Sequence, residues 1–132
     1  FILNDRSILS YSQKAMEDYD VRPRSPNLMT SNFSGGNQQK IILSRELNKN
    51  PKVLLVGQPT RGVDIGAIEF IHQRLIDMRD KGVAILLVSV ELDEVLSLSD
   101  RIVVMFDGKI VGEKVNQNVT DREIGLLMAG IS

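Results

Sequence analysis

Two kinds of apolar spacing alternate along this chain, and together they predict alternating helices and strands. Near the start, Ile8, Tyr11, Ala15 and Tyr19 recur at the spacing of one helix face. Residues 1–20 therefore predict a loop leading into a helix. Val21-Arg22-Pro23-Arg24-Ser25-Pro26-Asn27 ends it, because each proline fixes its own φ and restricts its predecessor. A polar stretch over 28–36 closes on Ser34-Gly35-Gly36. A helix is expected next, over about 37–47, with Ile41, Ile42, Leu43 and Leu47 buried. Asn48-Lys49-Asn50-Pro51 stops it with basic and turn residues.

The period then changes. Val53-Leu54-Leu55-Val56 is an unbroken apolar run, which suits a strand buried on both faces of a parallel sheet. Residues 57–66 are loop. A helix is expected over 67–81, with Ile68, Ile71, Leu75 and Met78 along one face and Gly82 closing it. Val83-Ala84-Ile85-Leu86-Leu87-Val88 is a second apolar strand, so 53–88 forms a βαβ unit with a right-handed crossover. A short helix follows over 92–98. Segments 101–106 and 109–113 flank Asp107-Gly108, a hairpin signal, and Thr120-Asp121-Arg122-Glu123 is a capping box that opens a last helix.

Composition narrows the chemistry. At 132 residues and 42% hydrophobic, the chain can build one core. Sixteen basic against seventeen acidic side chains leave a formal charge of −1, so no nucleic-acid partner is expected. The absence of cysteine excludes disulfides, thiolate zinc sites and a Cys nucleophile, and one histidine cannot make a multi-histidine metal site. No apolar run is long enough to span a bilayer. The chain opens on Phe1 without a signal-peptide pattern, and is expected to be a cytosolic piece of a longer chain.

Two places could carry chemistry. In Phe33-Ser34-Gly35-Gly36-Asn37-Gln38-Gln39-Lys40, two glycines at a helix mouth let backbone approach a ligand, and the helix N-terminus favours an anion such as phosphate. Ser34 adds a hydroxyl donor and Lys40 a nearby charge. Taken alone, Ser-Gly-Gly also reads as an ordinary cap and turn. The second place is the carboxyl end of the strand at 53–56, where α/β folds bind ligands. Its tip is Gly57-Gln58, with no carboxylate to hold a metal or take a proton. His72 reads as a boundary residue of its helix. Arg22 and Arg24 read as solvated loop charges, the five methionines as core filling, and Glu91, Asp93 and Glu94 as an acidic helix start.

Taken in order, these segments resemble an ABC-transporter ATPase. Phe33 to Lys40 resembles the signature motif, with Phe33 where Leu is usual. The 53–56 strand resembles the Walker B strand, and Pro59-Thr60-Arg61-Gly62-Val63-Asp64 the D-loop. Leu86 to Val95 resembles the switch strand and its helix, and Ser99-Asp100-Arg101 through Asp107-Gly108-Lys109-Ile110-Val111 the segment after it. The match covers roughly residues 20–115. The Gly-Gly-Asn-Gln-Gln-Lys and Pro-Thr-Arg-Gly-Val-Asp versions are typical of the second nucleotide-binding domain of importers of simple sugars and nucleosides.

The resemblance implies an α/β fold, the C-terminal portion of one P-loop-type domain, with mostly parallel core strands. Residues 1–50 would be part of a helical subdomain and 51–132 part of the core. It implies ATP and Mg2+ as cofactors of the full assembly. It implies a second ATPase domain in the same chain, transmembrane permease subunits and, indirectly, a solute-binding protein. The location it implies is peripheral, on the cytoplasmic face of a bacterial membrane. Ser34, Gly35, Gly36, Asn37 and Gln38 become nucleotide-binding residues and Asp64 the D-loop aspartate.

The departures carry as much meaning. No Gly-x-x-x-x-Gly-Lys-Ser/Thr phosphate loop is present. Gly57 stands where the family has a metal-associated Asp, Gln58 where it has the catalytic Glu, and Val90 where it has the switch His. Such domains pair head to tail, so the resemblance implies a chain that lends its signature to a partner's site while its own site is degenerate. Two other classes share parts of the pattern: a nucleotide-sensing pseudo-ATPase, and the ATPases of DNA repair and chromosome structure. The latter insert long coiled coils, and no heptad run occurs here.

Overall fold

Side-chain caps, more than apolar spacing, decide where four of the five α-helices start. In a computed structural model describing residues 4–131, Asn4 accepts the Ser7 backbone N–H at 3.2 Å and opens α1 (Asp5–Asp18). Ser34 caps α2 (Gly35–Leu47) and Asp64 caps α3 (Ile65–Asp80). Both therefore begin ahead of the first apolar-periodic residue that marks them in the sequence. A 3-10 turn, Thr30–Asn32, precedes α2. The short α4 (Leu92–Leu98) follows, and α5 (Asp121–Met128) starts in the capping box expected of Thr120 and Glu123. The loop expected to open the chain falls largely outside the described residues.

Three helices stop in the same way. Asp20, Gly82 and Gly130 sit at φ 46°, 87° and 74°, and the next residue's N–H donates back to Met16, Met78 and Leu126. This left-handed stop suits glycine, and an aspartate tolerates it at Asp20.

The strands are β1 (Val53–Gly57), β2 (Ala84–Val88), β3 (Arg101–Phe106) and β4 (Lys109–Val115). β1 pairs with β2 and β3 with β4. Ala84 donates to the Lys52 carbonyl and Gln58 to that of Val88, so partners rise together and β1 and β2 are parallel. The β3–β4 hairpin turns at Asp107-Gly108, φ 47° and 71°, as the Asp-Gly pair predicts. Its register slips between Val104 and Met105, leaving Val111 as the extra residue of a bulge.

The chain forms two compact units. The first runs to Leu54 and takes in Pro59–Ala84; the second comprises Leu55–Gln58 and the chain from Ile85 on. Met16, Leu43, Leu47, Ile71 and Leu75 build the first core. Ile102, Val104 and Ile124 centre the second, with Leu92, Val95 and Leu127 packed against them.

Several burial expectations fail. Val53 and Leu55 are 63% and 75% exposed, and Leu86 and Val88 lie bare on β2. A strand is dry on both faces only between two layers, and among the described residues only one face of this pair is covered. Ile42 is exposed because the core-facing line of α2 runs through Leu43 and Leu47. Ile8 and Tyr11 are exposed on α1, where Met16 is the buried residue. Met29, Met105 and Met128 are not core filling, since each is exposed; Met16 and Met78 are buried.

The α5 capping box is the most direct stability test. Hydrogen bonds from the Thr120 backbone and hydroxyl hold the Glu123 carboxyl below its ordinary range. A lowered folded value means that the Glu123 contribution is whole above the usual carboxylate range. It is lost as pH falls through the lowered value. Thr120→Ala is expected to cost about 1 kcal/mol near neutral pH, and less in acid. Urea unfolding followed by circular dichroism at both pH values checks this; an equal loss at both would contradict it.

Candidate functional site

Phe33 anchors the glycine loop. Its ring is buried in the first core while Ser34, the next residue, is exposed. Ser34 is extended (φ −60°, ψ 157°), so its carbonyl accepts the Gln38 N–H at 2.9 Å and its hydroxyl faces the first turn of α2. Ser34 Oγ accepts from Asn37 Nδ2 at 2.9 Å and, less closely, from the Asn37 backbone N–H at 3.4 Å. Asn37 Oδ1 accepts the Arg22 backbone N–H at 2.7 Å, and Gln38 Nε2 donates to the Phe33 carbonyl at 2.8 Å.

The glycines face the neighbouring loop. A Cβ on Gly36 would lie 2.8 Å from the Ala67 Cβ and 3.0 Å from Asp64 Oδ2; one on Gly35 would lie 3.0 Å from the Gly62 carbonyl. Real Cβ atoms essentially never approach so closely as the first of these. The starts of α2 and α3 thus touch backbone to side chain, and Gly36 is buried. Two positive helix ends meet there. The Asp64 carboxylate lies beside both, its Oδ1 taking the Ala67 N–H at 2.9 Å.

Lys40 does not supply charge to the loop mouth. Its ammonium donates to the Asp20 carbonyl at 3.1 Å and lies 4.8 Å from the Phe70 ring centre, with only 13% of the side chain exposed. Arg74 stacks on Phe70 and Tyr19 and donates to the Asp18 carbonyl. The hydrogen bond from Arg22, then the charges of Arg22, Lys40 and Arg24, hold the Asp20 carboxyl below its ordinary range. Arg22 and Arg24 keep exposed side chains, as expected; what the sequence did not signal is the Arg22 main-chain N–H, since any residue but proline carries one.

In the second unit, β1 ends on Gly57, and Gln58 follows it. A Cβ on Gly57 would meet nothing within 4 Å. Gln58 is left-handed at φ 50°, held by the bond from its N–H to the Val88 carbonyl at 2.8 Å. Such a conformation costs a non-glycine residue about 1–2 kcal/mol. Val90 follows β2 and is 64% exposed. Glu94, beyond a surface acidic start, is buried. His72 is half-buried on α3. Among the described residues no three His, Cys, Asp or Glu side chains group as a metal site, and no helix is long and apolar enough to cross a membrane.

Comparisons with known proteins show what the chain is similar to. The nucleoside import ATP-binding protein NupA of Lactococcus lactis is 50% identical over 97% of this chain and 25% of its own length. The guanosine import ATP-binding protein NupO of Bacillus subtilis is 46% identical over 98% of this chain and 25% of its own. The ribose import ATP-binding protein RbsA of Caldanaerobacter subterraneus is 39% identical over 96% and 25%. A solved ATP-binding cassette of an ABC transporter superposes with a TM-score of 0.71 at 25% identity, covering 98% of this chain and 49% of that one. The dimeric structure of a bacterial ABC transporter cassette superposes at 0.73 and 22% identity, over 90% and 51%. The chain's homologues are ATP-binding proteins of ABC importers. No family model matches the chain, and it spans about a quarter of the length of the curated relatives it matches.

Within the first unit, the structure brings Ser34, Gly35, Gly36, Asn37 and Gln38 together with Asp64. It brings Gly57 and Gln58 to the end of the strand that pairs with β2, which Val90 follows. Sequence reasoning missed Gly62 and Ala67 as partners of the glycines. Aspartate three positions before Ala67, the spacing of an N-cap, was the available signal.

The close approach of α2 and α3 gives a stability test. Gly36→Ala should destabilise by about 1–3 kcal/mol through overpacking, with Ala67→Gly recovering part of the loss in the double variant. Gly57→Ala should be tolerated. Denaturation midpoints of the variants decide it, and strictly additive losses at 36 and 67 would contradict the contact.

Proposed function

We propose that this chain is part of the ATP-binding subunit of an importer of nucleosides or simple sugars. It supplies the signature half of a composite ATP site. The observation that carries this reading is the asymmetry of its two candidate sites. Ser34 is exposed at the mouth of a 13-residue helix, while Gly57 at the end of β1 and Gln58 just after it offer no carboxylate. The names and identities of NupA, NupO and RbsA support the importer class, and the first two favour nucleosides.

In this reading Ser34, Gly35, Gly36, Asn37 and Gln38 form the segment that faces the nucleotide phosphates, and Asp64 is the D-loop aspartate. The Ser34 O–H and the electropositive start of α2 suit an anion. Residues 1–50 belong to the helical subdomain and 51–132 to the core. The partners are a second ATPase domain of the same protein, permease subunits and, through them, a solute-binding protein. The assembly lies on the cytoplasmic face of a bacterial membrane. The residues here do not fit Mg2+, because the β1 tip has no carboxylate and, among the described residues, no acidic cluster stands in for one. The metal and the catalytic base belong to the partner domain. Gln58 can orient a water but cannot take its proton.

In the full-length transporter, Ser34→Ala is expected to cut transport-coupled ATPase about 10–1,000-fold, the scale of a lost preorganised donor. Val90→Ala should have little effect. Gly36→Glu should abolish activity, partly by driving α2 off α3. Normal turnover in Ser34→Ala beside a dead Val90→Ala would mean that this domain uses its own site.

At the β1 tip, Gln58→Glu alone should not restore turnover in a transporter whose partner domain lacks its own base. Position 57 still supplies no carboxylate, and groups that act as a unit are not repaired singly. Robust ATPase activity from that single change would contradict the degenerate-site reading.

A further inference from the structure

Ser34 Oγ is approached by two donors. Asn37 Nδ2 lies at 2.9 Å and the Asn37 backbone N–H at 3.4 Å, so both hydroxyl lone pairs face protein hydrogens. The single hydroxyl hydrogen is then left to point outward, and among the described residues no protein acceptor takes it. The Asn37 amide cannot be turned round. Arg22 offers its backbone N–H at 2.7 Å, a group that only donates, so the atom facing it is the amide oxygen and the amide nitrogen must face Ser34. Gln38 Nε2 braces the Phe33 carbonyl at 2.8 Å, and Phe33 is buried. The two amide side chains of the loop are thus committed inward, one on the Ser34 hydroxyl and one on the peptide before it.

We propose that Asn37 is a positioning residue: its amide, locked by Arg22, makes Ser34 a pure hydrogen-bond donor toward a phosphate oxygen, and does not itself touch the nucleotide. Gln38 assists by holding the backbone from which Ser34 projects. This rests on the reading of Ser34 as a nucleotide contact, and it refines that reading by separating the residue that meets the ligand from those that aim it. A serine hydroxyl free to rotate is donor or acceptor by turns, and against an oxyanion only the donor orientation helps. Removing the Asn37 amide frees the rotor. Replacing it by a carboxylate reverses it, because Asp can still accept from Arg22 but can only accept from Ser34, which draws the hydroxyl hydrogen inward.

The experiment is a double-mutant cycle in the full-length transporter, reconstituted with its permease in lipid vesicles. ATPase is measured against Mg-ATP for Ser34→Ala, Asn37→Ala and the pair. Asn37→Ala should lower kcat about tenfold, less than the loss of a whole preorganised donor, with KM for ATP changed less than about twofold. The double variant should be no slower than Ser34→Ala, since Asn37 then has no hydroxyl to aim. Asn37→Asp keeps the size, the Arg22 bond and a helix-start residue type, so it tests the same point if Asn37→Ala fails to assemble. Its kcat should fall at least as far as that of Asn37→Ala. If Ser34→Ala is slow but the Asn37 loss multiplies undiminished in the double variant, Asn37 acts independently of Ser34 and the positioning role is wrong. It is equally wrong if KM alone rises, or if Asn37→Asp turns over normally. If Ser34→Ala itself is normal, the nucleotide-contact reading falls first and the positioning role falls with it.

Discussion

The first unit depends on a place where no side chain fits. α2 and α3 begin against one another, and Gly36 lets the backbone of one come within contact of Asp64 and Ala67 on the other. Both helix starts are electropositive, so the approach would be repulsive without a carboxylate beside them. Asp64 meets that need while capping α3. The same contact fixes the direction in which α2 leaves the loop, and with it the exposure of Ser34.

The arrangement separates two demands on one short motif. Gly35 and Gly36 answer chiefly to packing, because the neighbours of their absent Cβ atoms are Gly62, Asp64 and Ala67. Ser34 is the member that faces outward. Asn37 and Gln38 stand between, hydrogen-bonded back into the loop. A motif that reads as five equivalent ligand contacts is therefore graded in three dimensions, from buried spacer to exposed hydroxyl. Behind it, Tyr19, Lys40, Phe70 and Arg74 join the end of α1 to α2 and α3 through ring and cation contacts.

Much of this is legible in the residues. The apolar runs at 53–56 and 83–88, the Asp-Gly turn and the Thr120–Glu123 box all give the elements they signal, because each rests on local geometry. Burial is less legible. Leu55 and Leu86 have the composition of doubly covered strands, yet composition cannot say which layers are present to cover them. The start of α2 is hidden for a related reason. Apolar period marks the part of a helix that packs, whereas Ser34 and two glycines mark where it begins. At the candidate site, residue types are readable and their partners are not. Lys40 looks like a charge for the loop mouth until Asp20 and Phe70 are seen to hold it, and the Arg22 N–H that locks Asn37 belongs to no recognisable side-chain pattern.

The β1 tip has a consequence for how such a chain can change over time. The left-handed turn at Gln58 is held by the main chain, through its bond to Val88, and the space beside Gly57 is open. The open space lets position 57 take a side chain without crowding, whereas position 58 favours residues that tolerate a left-handed backbone. The tip is in this sense a half-open seat, where drift can place or remove a functional group at 57 with little consequence for the fold, while at 58 the backbone narrows the choice.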